Sequence, residues 1–185
     1  MTDSTRSRIQ AVALELFTEN GYEKTSLREI AERLGVTKAA LYYHFKSKDE
    51  IVTSFVEDRL ARLDELIAWG ETLPPAPESR QAVIARYADE FFGDEGPSVM
   101  RFFEQNQTVI KSMSAGVEMR DRMFRLAQLL AGASGDPSDQ LRGAMALFAV
   151  HGSWFAVRDA DLTIARRKEL ALEVANDLLR ARVSS

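Results

Sequence analysis

At 185 residues and 20.7 kDa, with 45% hydrophobic and 28% charged residues, the chain has the composition of a globular protein with ample core and no disordered or collagen-like bias. It contains no cysteine, which excludes disulfides, thiolate catalysis and cysteine-ligated zinc, and no apolar run approaching the roughly 18 residues of a membrane span. A net charge of -4 argues against a nucleic-acid coat protein, yet from Arg33 to Lys48 there are four cations (Arg33, Lys38, Lys46, Lys48) and no carboxylate.

Apolar residues recur at helical spacing and no segment sustains period-two alternation, which predicts an all-α chain. The start, MTDSTRSRIQAVALELF, is polar and then amphipathic, without an apolar core and cleavage site, so no export signal is read and a cytoplasmic location is expected. A first helix is predicted from about Thr5 to Asn20, with Ile9, Val12, Ala13, Leu16 and Phe17 on one stripe and Gly21 at the left-handed C-terminal position. Ser26 and Glu29 form a capping box for a second helix ending near Leu34, and Gly35 supplies the turn. Thr37 caps a short third helix over 38–44, and Ser47 with Glu50 opens a long fourth helix to about Trp69. The proline-rich stretch GETLPPAPES (70–79) marks a connection. Helices then follow at about 78–92, 97–113, 116–131, 138–158 and 163–182, with Asp136 capping and Pro137 in the first turn of the fourth of these.

Ser26 to His44 has the pattern of a helix-turn-helix: Ile30, Leu34, Val36 and Leu41 supply shared apolar contacts, and Ala31 is small where two helices cross. In that geometry the second helix enters the DNA major groove with its N-terminal residues, here Thr37, Lys38, Ala39 and Ala40, toward base edges. Lysine bonds a guanine edge, threonine bonds either way, and alanine methyls pack on thymine. Tyr42, Tyr43, His44 and Lys48 follow as donors for phosphate, while Phe45 and one tyrosine are expected to pack the small module.

The run SLREIAERLGVTKAALYYHFKSKDEIV, preceded by RIQAVALELFTENGYEKT, closely resembles the N-terminal domain of the tetracycline-repressor (TetR) family of bacterial transcription regulators over about residues 6–56. The resemblance implies a homodimer on a palindromic, double-stranded operator, usually a repressor, with a C-terminal domain that binds a small molecule and releases the DNA. It places Ser26, Thr37, Lys38, Ala39, Tyr42, His44 and Lys48 where the family contacts phosphate or base. The expected organisation is a helix-turn-helix domain over 1–46 joined by a long helix to a larger helical ligand-binding and dimerisation domain over 47–185.

The helix predicted over 138–158 is apolar nearly all round. One stripe holds Leu141, Met145, Phe148, Phe155 and His151; another holds Gly143, Ala146, Leu147, Val150, Trp154 and Val157. The last helix repeats the feature with Ile164, Leu170, Val174 and Leu178 beside Leu172, Ala175 and Leu179. One chain struggles to cover both, and a two-fold partner pairing these helices with their copies would do so. Ala146, Val150, Trp154, Val157, Leu172 and Leu179 are the expected interface residues. By analogy with the family, an effector pocket is expected among Tyr87, Phe91, Phe102, Phe103, Asn106, Met123, Phe148 and His151, whose rings and thioether suit an apolar cavity with sparse polar contacts. The alternative is a C-terminal domain that binds a protein partner or no ligand at all. With two histidines and no nucleophile-base pair or Gly-rich phosphate loop, no enzyme activity, metal or cofactor is expected.

Overall fold

Helix boundaries in the computed structural model follow the capping chemistry. The structure describes residues 2–93, 102, 115–133, 135–157 and 161–180, with the side chains of 2–4 and 115–116 outside the description. Eight helices are found among them: α1 (Thr2–Asn20), α2 (Leu27–Leu34), α3 (Lys38–His44), α4 (Lys48–Glu71), α5 (Pro77–Phe91), α6 (Ala115–Ala131), α7 (Pro137–Ala156) and α8 (Ile164–Leu179). No strand occurs among the described residues, so the fold is all-α. The helix expected over 97–113 lies outside them, apart from Phe102.

Gly21 (φ 87°) and Gly35 (φ 69°) adopt the left-handed conformation that ends α1 and α2 without a Cβ penalty. Ser26 closes a complete capping box: its Oγ accepts from the Glu29 amide at 3.2 Å, and Glu29 Oε2 accepts from the Ser26 amide at 2.7 Å. Thr37 Oγ1 accepts from the Ala40 amide at 3.1 Å, and Asp136 Oδ1 from the Ser138 amide at 2.7 Å. The box predicted at α4 is displaced by one residue. Ser47 Oγ accepts from the Glu50 amide at 3.0 Å, but the Glu50 carboxylate reaches back to the Lys46 amide at 2.5 Å.

The chain divides into two compact units. The first groups Met1–Ala61 with Asp94–Glu118, and its core joins Ile9, Ala13, Phe17 and Tyr22 to Ile30, Leu41, Phe45, Ile51, Val52 and Phe102. Its aromatic centre is Phe17, whose ring centroid lies 5.1 Å from Tyr22 and 5.7 Å from Phe102. Buried Gln10 ties α1 to α4, donating to Ser54 Oγ at 2.9 Å and to Asp58 Oδ2 at 2.7 Å. Phe102, expected among the effector residues, is fully buried in this core. A ring among helically spaced apolar residues carries no label saying which of two cores it will fill.

The second unit groups Arg62–Gly93 with Met119–Ser185. Its core is built from Leu63, Leu66, Ile67, Ile84, Tyr87, Phe91, Leu126, Leu130, Val150 and Ala175, among others. Two glycines allow close helix approach. A Cβ on Gly143 of α7 would stand 2.5 Å from the Ala127 carbonyl oxygen of α6, and one on Gly70 would stand 2.5 Å from Leu129 Cδ2. Arg122 binds Asp64 through Nε and Nη2 at 3.2 and 3.1 Å, joining α6 to α4. Arg167 of α8 is buried, donates to the carbonyls of Ser153 and Val157, and lies 4.9 Å from the Trp154 ring, so it closes the C-terminal turn of α7.

The two stripes of α7 face opposite ways from the expectation. Ala146 and Val150 are buried within the protomer, as is Leu179 of α8, while Trp154, Val157 and Leu172 are half-buried. Leu141 (63% exposed), Met145, Phe148 (61%) and Phe155 form the open stripe, with Val174 exposed on α8. The physical reason is size. Gly143, where a Cβ would strike the α6 backbone, and the small Ala146 let neighbours approach closely, so the small-residue side packs inside and the side with large rings is left out.

Candidate functional site

Within the first unit, α3 is held by two anchors and presents the rest. Leu41 and Phe45 are fully buried, fixing the helix on α2 and α1, and the Arg6 guanidinium lies 4.6 Å from the Phe45 ring centroid. The turn from α2 is fixed by Gly35, whose amide bonds the Glu32 carbonyl at 3.1 Å, and by the Val36 amide on the Ala31 carbonyl at 3.0 Å. With those contacts made, Ser26, Thr37, Lys38, Ala39 and Ala40 are all exposed. The first turn of α3 is thus a solvent-facing edge of one cation, one hydroxyl and two methyls.

The aromatic run divides by depth. Tyr42 is the packing tyrosine, half-buried against the core, with Lys38 Nζ 5.3 Å from its ring. Tyr43 is 75% exposed, edge-on to the half-exposed His44 at 5.3 Å between centroids. An exposed tyrosine beside a histidine on a short helix is poorly explained by packing and suits contact with a polar partner.

Lys48 opens α4 and turns inward more than its charge suggested. Its ammonium donates to the Tyr22 carbonyl at 2.6 Å and the Glu23 carbonyl at 3.3 Å, and sits 4.5 Å from the Tyr22 ring. The Tyr22 hydroxyl donates to Asp49, so residues 48 and 49 clamp the turn between α1 and α2. Burial first, and then the adjacent Asp49 carboxylate, pushes the Tyr22 phenol well above its usual range, so it remains a donor. Hydrogen bonds from the Ser26 side chain and amide hold Glu29 below the ordinary carboxylate range. Of the remaining cations in the basic stretch, Arg33 pairs with Glu15 at 3.5 Å and Glu19 at 3.6 Å, and Lys46 donates to the Tyr42 carbonyl. The clamp role of Tyr22 was not read from the sequence; its position directly after the Gly21 cap was the available signal.

In the second unit, four of the expected effector residues come together. Tyr87 is buried and shares a hydrogen bond with His151 Nε2, and its hydroxyl lies 3.8 Å from Met123 Sδ. Phe91 packs on this pair, 4.8 Å from the His151 ring and 6.1 Å from Tyr87. Phe148 does not join them, because it lies on the open stripe of α7. Phe103 and Asn106 lie outside the described residues.

Comparison with known proteins agrees with this geometry. Residues 9–54 match the model of the bacterial regulatory proteins, tetR family. Over 190 aligned residues the chain is 30% identical to the HTH-type transcriptional regulator TcmR of Streptomyces glaucescens, covering 95% of this chain and 83% of that protein. The fold is similar to that of the TetR family transcriptional regulator PfmR from Thermus thermophilus, with a TM-score of 0.67 and 29% identity over 95% of this chain and 98% of that one. It is also similar to SmeT solved as a complex with triclosan, with a TM-score of 0.68 and 25% identity over 93% and 90% of the two chains. The likeness to TcmR extends through both compact units rather than stopping at the helix-turn-helix, and the chain belongs to the tetR family of bacterial regulatory proteins, which are helix-turn-helix transcriptional regulators.

Proposed function

We propose that the chain is a homodimeric repressor that binds a palindromic operator through α3 and is released from it by a small molecule held in the second unit. The observation that carries the DNA part is the exposed first turn of α3, Thr37 to Ala40, on a helix fixed by buried Leu41 and Phe45. Lys38 is assigned to a base edge, with Thr37 and Ala39 beside it, while Ser26, Tyr42, Tyr43, His44 and Lys48 are assigned to the backbone. Two copies of α3 about one duplex turn apart, roughly 34–36 Å, would read two half-sites.

The test is selection from random duplexes at about 150 mM salt, where non-specific phosphate attraction is partly screened. A recovered palindrome with half-sites about 10 base pairs apart is expected; failure of folded protein to enrich any sequence would overturn the assignment. On the recovered site, Lys38→Ala should relax preference at particular base positions. Lys48→Ala should weaken binding to every sequence and lower the salt slope by about one. Weaker binding with an unchanged slope would leave Lys48 only its clamp on the turn between α1 and α2.

The effector part draws on the Tyr87–His151 pair, a polar pair among apolar rings of the kind that orients a ligand, and on the triclosan complex of the similar SmeT. Ligand that binds one arrangement of the second unit better would shift the population of α4, which contributes residues to both units. A second reading, in which this unit only dimerises or binds a protein partner, is favoured by the same hydrogen bond, since it satisfies both groups without a ligand. A small-molecule screen scored by release of operator DNA separates the two: no releasing compound, with dimer and DNA binding intact, favours the second.

A further inference from the structure

A cleft of about 530 Å³ lies at one end of the second unit, remote in its lining from Tyr87 and His151. Its walls come from the end of α4 (Gly70), the proline-rich link and first turns of α5 (Pro74, Pro75, Arg80) and the end of α6 (Leu129, Gly132). That volume falls within the roughly 300–1,000 Å³ of small-molecule sites. The glycines have a part in shaping it. Gly70 lets α4 approach Leu129 closely, and Gly132 turns the chain at φ 79°, leaving room beside the Arg80 side chain, whose Nη1 would lie 3.8 Å from a Cβ there.

Arg80 is the cation among the residues that line the cleft. It is half-buried and, like half-buried Arg142 and exposed Arg62 and Arg120, has no ion pair among the described residues, whereas Arg86, Arg122, Arg125, Arg166 and Arg180 of the same unit each pair with a carboxylate; of these four unpaired arginines, Arg80 is the one that lines the cleft. Two carboxylates also line the cleft. Glu71 is held 3.1 Å from Arg125, so its charge is balanced, and Asp139 stands in the first turn of α7. A partly desolvated guanidinium without a carboxylate partner, in a cleft that Pro74, Pro75, Pro77 and Leu129 also line, is matched by a ligand with one carboxylate and a rigid apolar body.

We infer that this cleft is a binding site for rigid, two- or three-ring organic carboxylates, anchored by Arg80 and separate from the effector region around Tyr87 and His151. The carboxylate takes the guanidinium, the ring system lies against Pro74, Pro75 and Leu129, and Gln128 faces a ligand hydroxyl.

The test uses fluorescence titration of the full-length protein with anthracene-2-carboxylate and its neutral counterpart 2-(hydroxymethyl)anthracene. Saturable one-to-one binding of the acid is expected, weakened tenfold or more in Arg80→Gln and largely restored in Arg80→Lys, with the neutral compound little affected by either change. Ala133→Trp, which fills the cleft from an exposed position, should block both compounds, while Tyr87→Phe should leave acid binding unchanged. Circular dichroism melting keeps misfolded variants from being scored. Acid binding that is absent, or unchanged in both Arg80→Gln and Ala133→Trp, overturns the site. Loss of acid binding in Tyr87→Phe with Arg80→Gln silent would move the ligand to the effector region. Because the readout is binding and not operator release, the site stands or falls independently of the repressor reading.

Discussion

Phe148→Arg is expected to convert the dimer to monomer and, with it, to abolish operator binding at concentrations where the wild type is saturated. Phe148 is 61% exposed in the protomer and lies at the centre of an open stripe with Leu141, Met145 and Phe155. Large rings on a protein surface at this density mark an interface, and a second copy is the occupant that the proposed homodimeric repressor needs. In a two-fold interface each substitution occurs twice. Truncating a central aromatic costs about 2 kcal/mol or more, so two copies cost about 4 kcal/mol, near a thousandfold in dimer affinity, before burial of the new charge is counted. Sedimentation equilibrium reads the dimer constant, and gel shift on the selected operator reads the consequence. The protomer itself should melt much as the wild type does, because the ring makes few contacts that the single chain depends on. A variant that stays dimeric at micromolar concentration would remove α7's open stripe from the interface, and a wild type that is monomeric would remove the dimer.

That stripe also measures how far the sequence alone reaches. Several helix boundaries were legible nearly to the residue because local chemistry sets them: Ser26, Thr37 and Asp136 accept from amides within a turn of themselves, and Gly35 ends α2 by donating its amide to the Ala31 and Glu32 carbonyls. The exposed edge of α3 was legible for a similar reason, since Leu41 within the short helix and Phe45 at its C-terminal end are the residues that anchor it and only one face can pack. What was not legible depends on partners distant in the chain. Periodicity showed that α7 is apolar on two sides, but which side faces inward is decided by α5, α6 and α8, and the small residues won that place. Phe102 filled the first unit's core beside Phe17, a choice that spacing does not record. The inward turn of Lys48 rests on carbonyls 25 and 26 residues earlier in the chain. Arg80 went unremarked because its interest lies in the ion pair it lacks, and pairing is a property of the fold.

The close crossing of α6 and α7 gives the second large expected effect. Gly143→Ala should destabilise the protein, although alanine ordinarily favours a helix by about 1 kcal/mol over glycine. The added Cβ would meet the Ala127 carbonyl oxygen at 2.5 Å and the Ala131 amide nitrogen at 2.8 Å. Those are backbone atoms of α6, so relief requires the helices to separate and the contacts of Leu126, Leu130, Ala146 and Val150 to loosen. Overpacking of this kind costs about 3 kcal/mol at the severe end, leaving a net loss of about 2 kcal/mol once the helix preference is subtracted. For a chain of this size that lowers Tm by about 4–8 °C. Gly152→Ala, on the same helix, is the matched control: the atoms nearest its Cβ would be those of the Phe148 ring, from 3.3 Å, and an exposed side chain can swing aside. It should leave Tm unchanged or slightly raised. Equal melting of the two variants would mean that α6 and α7 do not cross as closely as the glycine requires, and the inward placement of α7's small-residue face would fail with it.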